Sequence, residues 1–287
     1  MRKVAALLAD CHGNHKLGLL HPNTQLEQIG PTGEPILKAV ELTAVQQWLY
    51  HEVWQPALSQ LKRLAGDDPL VGFHVGDLTQ GGKYPDQLVS TRLSDQVAIA
   101  VDILGDFLDL PTAQTLRIAL GTPAHNYGEG STEILAARML AQEYVRKDVK
   151  AVAHGLAEVN GVLVDYAHHG PSGGAHLMVR GNAFRTYCRD VVLRELGRHQ
   201  RPPDVIVRAH AHDYLRITDV IALNGEEHEI LGILLPPMCG MGEHGRQASR
   251  SRHMLTAGLV ALEVDGPGRV KVHRLIQTVD LRTKETL

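Results

Sequence analysis

Five short apolar segments of this chain end in turns that carry aspartate or histidine, and this pattern constrains the fold more than any other feature. The segments are rich in Val, Leu and Ile and cover Val4–Ala9, Leu70–Val75, Leu116–Leu120, Val162–Val164 and Val205–Val207. Their length and composition predict buried β-strands. Open α/β sheets place their sites beyond the carboxyl ends of such strands. We therefore expect the polar residues that follow the five segments to meet in one site.

Helical patterns separate the predicted strands, and further strand-like segments cluster after Leu215. Apolar residues recur at helical spacing over 44–64, 86–110, 132–146 and 182–199, with Ser131 or Thr132 as the N-cap of the third stretch. Early alternation followed by strands predicts an α/β fold, a sandwich of two mixed β-sheets flanked by helices. We predict a single domain over 1–287, with a helical and loop insertion at about 15–68 and a β-rich C-terminal part at about 213–287.

Composition excludes several classes of protein. The net charge of −3 argues against a protein that coats nucleic acid by bulk charge, but it leaves open a local basic patch. The apolar run before Asp10 is too short for a signal peptide, and no apolar segment approaches membrane-spanning length. Three scattered cysteines, Cys11, Cys188 and Cys239, argue against a disulfide framework. We expect a cytoplasmic protein without a membrane partner, and the sequence does not indicate its oligomeric state.

The turns after the five segments supply nitrogen and oxygen donors. In order, they carry Asp10 and His12, then Asp77, then Thr122 to Asn126 with His125, then His168 and His169, then His210 and His212. Imidazole and carboxylate together favour Mn, Fe, Zn or Ni over Mg and Ca. A carboxylate shared by two ions about 3.5–4 Å apart is the usual two-metal hydrolytic arrangement. Each motif alone is common by chance, but their order at five strand ends favours a metal site over incidental histidines.

In this order the motifs resemble those of the calcineurin-like metallophosphoesterase superfamily. The matching stretches are Asp10-Cys11-His12, Gly76-Asp77 to Gly82, Gly121 to His125, His168-His169 and His210-Ala211-His212. The resemblance spans residues 10 to 212, most of the chain. The Gly-Thr-Pro-x-His variant and the closing β-rich region also look like phage and prophage members of that superfamily.

The resemblance implies a binuclear centre that hydrolyses phosphate esters through a hydroxide activated by two divalent transition-metal ions. Mn is the expected metal, with Fe, Zn or Ni as alternatives. Asp10, His12 and His212 would hold the first ion, Asp77 would bridge, and His168 and His210 would hold the second. His168 is preferred to His169 because the family's ligand opens its His-x-Pro stretch.

The stretch from Thr122 to Asn126 departs from the family pattern, which has a metal-binding Asn before its His. Thr122, Asn126 or water could fill the vacant ligand position. His125 would contact phosphate and protonate the leaving oxygen as a general acid. Cys11, between two ligands, should point to the opposite side of an extended segment.

The resemblance implies a phosphate-ester substrate, with a nucleotide or nucleic acid among the candidates. A phosphodiesterase or nuclease is slightly favoured, because the phage-type resemblance suggests nucleic-acid metabolism. The alternatives are a small-molecule phosphomonoesterase or cyclic-nucleotide phosphodiesterase, and a non-catalytic scaffold. The glycine-rich segment Pro236–His253 offers Arg246, Arg250 and His244 for substrate binding, or it is a solvated connection. The segment His21–Leu37 is a loop or hairpin over the site, or a dimerisation element.

Overall fold

The chain folds into two mixed β-sheets and a separate hairpin in a computed structural model that describes residues 2–174, 179–223, 225–242 and 253–285. The larger sheet contains, in spatial order, Arg269–Asp280 (β13), Met254–Gly266 (β12), Lys3–Leu8 (β1), Leu70–Val75 (β4), Ala113–Ala119 (β5) and Asp148–Val152 (β6). Strands β1, β4, β5 and β6 are parallel, and β12 runs antiparallel to both of its neighbours.

The smaller sheet has five strands and carries the remaining predicted strand ends. Its spatial order is Leu215–Leu223 (β10), Glu226–Leu234 (β11), Val205–Arg208 (β9), Val162–Tyr166 (β8) and Gly155–Val159 (β7). The three central strands are parallel and both edges are antiparallel. All five segments predicted as strands are therefore strands, with boundaries shifted by up to three residues at either end.

Helices cover the two sheets. They are Ala44–Trp48 (α1), Gln55–Ala65 (α2), Leu93–Leu108 (α3), Ser131–Glu143 (α4) and Asn182–Gly197 (α5), with a π-helical stretch, Leu49–Trp54, joining α1 to α2 and a short 3₁₀ turn at Pro85–Gln87. The predicted N-cap of α4 is wrong. Gly130 caps this helix in a left-handed conformation without a side-chain cap bond, because the chain enters the helix through a tight glycine turn. No helix in the described ranges is long and apolar enough to cross a membrane.

The apolar core is divided into layers, one between the two sheets and one beneath the helices on the outer face of each sheet. Alternate residues of both sheets, such as Leu7, Phe73, Val164 and Val207, form one apolar cluster between the sheets. The opposite face of the larger sheet packs against α2, α3 and α4, and that of the smaller sheet packs against α5. The predicted mixed α/β class is confirmed, and the layers are compatible with the predicted sandwich.

The segment predicted as an insertion, about 15–68, contains a hairpin and a long helix. Strands Gln25–Ile29 (β2) and Pro35–Ala39 (β3) pair with each other, and β2 contacts the start of α3. The π-helical stretch brings the indole of Trp54 into the core, where Nε1 donates a 2.9 Å hydrogen bond to Asp106. The hairpin and helix are thus attached to α3 by polar as well as apolar contacts.

Backbone hydrogen bonds join the turns that follow the strands. The N–H of Asp10 donates to the carbonyl oxygen of Gly76, and the N–H of His12 donates to that of Asp77, both at 3.0 Å. In the smaller sheet the N–H of Ala209 donates to the carbonyl oxygen of His168 at 3.0 Å. Neighbouring turns therefore continue the pairing of their strands, which fixes the side chains relative to one another.

Candidate metal centre

Nine side chains with metal-binding atoms converge where the strands end. They form four groups of three whose ligand atoms lie within 4.8 Å of one another: His12, His212 and Cys239; His168, His169 and His210; His12, Asp77 and His125; Asp10, Asp77 and His168. The six predicted ligands are all in these groups, and so are His125 and His169. A buried cluster of this composition can hold a metal ion.

The first half of the cluster surrounds the carboxylate of Asp10, which is fully buried. Its Oδ2 accepts a 3.2 Å hydrogen bond from the backbone N–H of His210, whereas Oδ1 has no hydrogen-bond partner among the described residues. Nε2 of His212 lies 3.3 Å from that oxygen and Nε2 of His12 lies 3.9 Å from it. The two Nε2 atoms are 3.1 Å apart. Buried polar atoms are normally paired, so these converging lone pairs fit a cation.

Asp77 lies between the two halves. Its Oδ2 is 3.0 Å from Nε2 of His168 and 3.9 Å from Nε2 of His12. Its Oδ1 accepts a 2.5 Å hydrogen bond from the backbone N–H of Thr122. Burial alone raises the pKa of Asp77, but the hydrogen bond with His168 and the nearby imidazoles outweigh it, so its pKa lies below the usual value. The carboxylate is therefore ionised and available to both halves.

The hydroxyl of Thr122 stands at the centre of the second half. It donates to Oδ2 of Asp77 at 3.2 Å and lies 3.3 Å from both Nε2 of His168 and Nδ1 of His210. Asn126 is turned elsewhere, because its amide bonds to the carbonyl oxygen of Gly121 and the N–H of Gly128. Of the two residues offered by the sequence for the vacant ligand position, Thr122 faces the cluster and Asn126 shapes the loop.

The adjacent imidazoles of His168 and His169 differ in their environments. His168 is buried and its Nδ1 lies 2.8 Å from the carbonyl oxygen of Val75, which leaves Nε2 directed at Asp77. Burial lowers the pKa of His168, but the hydrogen bond with Asp77 and the charge of Asp10 raise it to about 8. His169 is exposed, with its ring 4.8 Å from that of His210. The carbonyl partner orients His168 as metal-binding histidines are usually oriented.

His125 faces the first half of the cluster. Its ring meets that of His12 edge-on, with centroids 4.8 Å apart, and its Nδ1 lies 2.9 Å from the carbonyl oxygen of Gln80. A proton on Nδ1 shared with Gln80 leaves Nε2 as the nitrogen that can gain or lose a proton. Burial lowers the pKa of the neighbouring His12 to about 3, so the His12 ring is neutral near pH 7.

The backbone of the candidate ligands is held in an unusual conformation. Five of the six predicted ligands have a positive φ angle: 52° at Asp10, 44° at His12, 52° at Asp77, 67° at His210 and 47° at His212. Such angles are uncommon for residues other than glycine. They persist only where surrounding contacts enforce them, and they concentrate at functional sites.

Two glycines leave room for these side chains. A Cβ at Gly121 would lie 2.3 Å from Oδ1 of Asp77, and one at Gly76 would lie 2.5 Å from the ring of His168. Both contacts are shorter than van der Waals packing tolerates. The glycines of the two loops are thus required by the close approach of candidate ligands.

Cys239 was not among the predicted site residues. Its Sγ lies 3.7 Å from Nδ1 of His212, on the opposite side of that ring from Asp10. Cys11 behaves as predicted, because its side chain joins the helix-side core and its Sγ lies 3.3 Å from Nε2 of His74. Burial raises the pKa of the Cys11 thiol well above its usual value. The three residues predicted to bind substrate, His244, Arg246 and Arg250, lie outside the described residues.

A buried carboxylate supports the loop at Thr122. Glu133, in the first turn of α4, accepts hydrogen bonds from the N–H of Gly121 at 3.3 Å and from the hydroxyl of Thr132 at 3.0 Å. Burial raises the pKa of Glu133. Thr132 also meets the hydroxyl of Thr79, which bonds to the carbonyl oxygen of His125 at 2.8 Å. This network fixes the loop that presents Thr122 and His125.

Comparison with known proteins adds no family assignment. No protein-family model and no curated protein matches the chain. Among solved structures, the solution NMR structure of Thermotoga maritima protein TM1076 is similar at 11% sequence identity, with 95% of this chain and 98% of that chain covered and a TM-score of 0.34. A similarity of that size carries no argument about function.

Proposed function

We propose that this chain is a metal-dependent hydrolase of phosphate esters, and that it acts on diesters in preference to monoesters. The observation that carries the proposal is the position of Asp77, whose carboxylate belongs to two groups of candidate ligands at once. A shared carboxylate is what a pair of divalent ions requires. The unpaired Oδ1 of Asp10 independently supports a cation in the first half.

The residues divide into two sets of donors around Asp77. Asp10, His12 and His212 would hold one ion, and His168, His210 and the hydroxyl of Thr122 would hold the other. Imidazole nitrogens combined with two carboxylates and a hydroxyl suit Mn, Fe, Zn or Ni, with Mn proposed. When bound, a pair of such ions would polarise the phosphoryl group and lower the pKa of water, so that hydroxide is available as the nucleophile near neutral pH.

The remaining residues of the site orient the substrate and move protons. His125 is proposed to protonate the leaving oxygen through Nε2, because its Nδ1 is bonded to Gln80. Diesters are favoured because the phage-type resemblance of the motifs suggests nucleic-acid metabolism. His169 is exposed beside His168 and His210 and is available to bind a phosphate oxygen.

A substrate panel run in parallel with metal analysis tests the proposal. The protein is purified without added metal, loaded with Mn, Ni, Mg or Zn, and assayed on a chromogenic phosphomonoester, a chromogenic diester and single-stranded DNA. We expect two ions per chain at saturating Mn and hydrolysis of the diester. Fewer than two ions with no diester hydrolysis would exclude the enzyme and favour a binding scaffold.

A further inference from the structure

A cleft lined with arginine lies beside the candidate metal centre. It has a volume of about 490 Å³, and its lining residues are Arg180, Tyr214, Leu215, Arg216, Val272 and Arg274. The cleft is bounded by the start of β10, an edge strand of the smaller sheet, and by β13, an edge strand of the larger sheet. Half of its lining residues are therefore cationic, in a chain whose net charge is −3.

Two of the three arginines are available for a ligand. Arg180 is already engaged, because its Nη2 donates to Oδ1 of Asp213 at 2.8 Å and to the carbonyl oxygen of Tyr214 at 2.9 Å. Arg216 and Arg274 are exposed and form no hydrogen bond or ion pair with any residue in the described ranges. Guanidinium groups bind phosphate oxygens in a bidentate manner, so a concave space with two free guanidinium groups suits a phosphate.

The register of the larger sheet places the cleft at the same end of the fold as the metal centre. Arg274 in β13 is paired with Val260 in β12, and Val260 is paired with Leu7 in β1. Leu7 precedes Asp10 by three residues. Two strand spacings separate β13 from β1, which corresponds to about 10 Å.

The register of the smaller sheet also places the cleft at the end of the fold where the candidate ligands lie. Leu215 in β10 is paired with Leu234 in β11, and Leu234 is paired with Arg208 in β9. Arg208 precedes His210 by two residues, and β10 is again two strands away, about 10 Å. The cleft therefore lies two to three residues, about 7–10 Å, before the candidate ligands along the strands and about 10 Å to one side.

We propose that this cleft binds the phosphodiester backbone of a single nucleic-acid strand, beyond the phosphate that lies at the metal centre. The inference rests on the proposed function and names its substrate class. A single phosphate group cannot reach both places, because the two offsets together separate them by about 12–14 Å. A strand presents further phosphates at such distances, and the ring of Tyr214 offers a surface for a sugar or base. Local arginines also explain how a chain of negative net charge would hold a nucleic acid.

Binding without hydrolysis is measured first, on the full chain with EDTA and a fluorescein-labelled thymidine oligonucleotide. We expect the double variant Arg216→Ala/Arg274→Ala to bind at least about tenfold more weakly than the unmodified chain. The slope of log affinity against log salt should fall by about 1.4, from about 0.7 for each lost single-strand contact.

The matched control is Arg194→Ala/Arg198→Ala, which removes the same charge. These side chains are 68% and 70% exposed near the end of α5, which precedes the start of β9 and so lies at the opposite end of the fold. We expect this variant to bind the oligonucleotide as the unmodified chain does. An equal loss of affinity in both double variants would overturn the cleft as a specific site.

Hydrolysis with Mn separates this inference from the proposed function. The variant at Arg216 and Arg274 should raise KM for the oligonucleotide and leave kcat/KM for bis(4-nitrophenyl) phosphate within about twofold. Equal losses on both substrates, or unchanged oligonucleotide binding, would overturn the inference while small-diester hydrolysis still supports the proposed function. If the unmodified chain hydrolyses no phosphate ester but binds the strand through these arginines, the proposed function is wrong and the assignment of the cleft as a strand-binding site is supported. Tripolyphosphate and unlabelled oligonucleotide are also compared as competitors at equal phosphate concentration. If tripolyphosphate displaces the labelled strand equally well, the cleft binds free polyphosphate and the proposal of a nucleic-acid strand is wrong.

Discussion

His168 and Asp77 face each other across the ends of two sheets, with Nε2 of His168 3.0 Å from Oδ2 of Asp77. His168 follows β8 of the smaller sheet and Asp77 follows β4 of the larger one. The carbonyl oxygen of Val75 holds the other nitrogen of the ring at 2.8 Å. The contact therefore joins the two sheets at the site, and its direction is set by the main chain of β4.

Replacing His168 should be far more damaging than replacing its neighbour. We expect His168→Ala to weaken binding of the second ion by at least about 10- to 100-fold, because it removes a buried, oriented donor. His169→Ala, at an exposed ring, should leave metal stoichiometry unchanged. Isothermal titration with Mn after EDTA treatment measures both variants. A larger loss in the His169 variant would reverse the assignment.

The hydroxyl of Thr122 should contribute to the second ion. Thr122→Val keeps the shape of the side chain and removes the oxygen that lies 3.3 Å from both His168 and His210. We expect about tenfold weaker binding of the second ion, with the first unaffected. Thr122→Ser keeps the hydroxyl and serves as the control. If the Val and Ser variants bind both ions alike, the hydroxyl is not a ligand.

Asp10→Asn should separate stability from metal binding. Burial raises the pKa of the Asp10 carboxyl, but the charge of His212 outweighs burial and holds that pKa below its usual value. The metal-free variant should therefore be less stable than the unmodified chain near pH 7. The unmodified chain should gain about 2.7 kcal/mol at an Mn concentration one hundred times its Kd. Chemical denaturation with and without Mn measures both quantities. If Mn stabilises the Asp10→Asn variant as much as the unmodified chain, Asp10 is excluded as a ligand.

His125 should matter most when the leaving group is poor. General acids contribute about 10²- to 10⁴-fold, and a 4-nitrophenolate needs little protonation as it departs. We expect His125→Ala to reduce kcat strongly for an alkyl phosphodiester and only weakly for a 4-nitrophenyl diester. Equal losses on both substrates would assign His125 to substrate binding instead.

Acid should destabilise the metal-free chain partly through His74. This residue is fully buried, and burial lowers its pKa from 6.5 to about 4. Between these values the unfolded chain binds a proton that the folded chain does not, so stability falls as the pH falls from 6.5 towards 4. In His74→Leu this contribution is absent. The variant should therefore gain on the unmodified chain by about 1.4 kcal/mol per pH unit in that window. Urea denaturation at about pH 7, 6 and 5 in EDTA measures the difference, and parallel curves for the two proteins would contradict it.

The positions of the strand ends could be predicted because two simple rules determine them. Short apolar runs specify buried parallel strands, and the parallel strands of one sheet end at one edge. Asp10 and Asp77 therefore had to approach each other in the larger sheet, as His168 and His210 did in the smaller one. The choice between Thr122 and Asn126 could not be made in the same way. It depends on how a tight loop turns each side chain, and this is decided by Glu133 in a helix that follows.

Contacts between segments that are distant in the chain could not be predicted from the sequence either. Cys239 contacts His212 only because the antiparallel strands β10 and β11, which lie between them in the chain, return it to the same end of the sheet. The cleft formed by Arg216 and Arg274 depends on the edges of two sheets lying side by side, and neither arginine belongs to a motif. The π-helical stretch Leu49–Trp54 was likewise hidden, because it lies inside one continuous helical pattern, 44–64, whose mixed apolar spacing does not mark where the hydrogen-bond pattern changes.

The left-handed backbone at five of the six candidate ligands has a consequence for engineering. Transplanting the histidines and aspartates alone onto another sheet would not reproduce the centre, because ordinary loops would point them elsewhere. The portable unit is each turn with its ligand, including glycines such as Gly121 that admit a neighbouring carboxylate. A designer who wished to move this chemistry to a new scaffold would have to copy main chain first and side chains second.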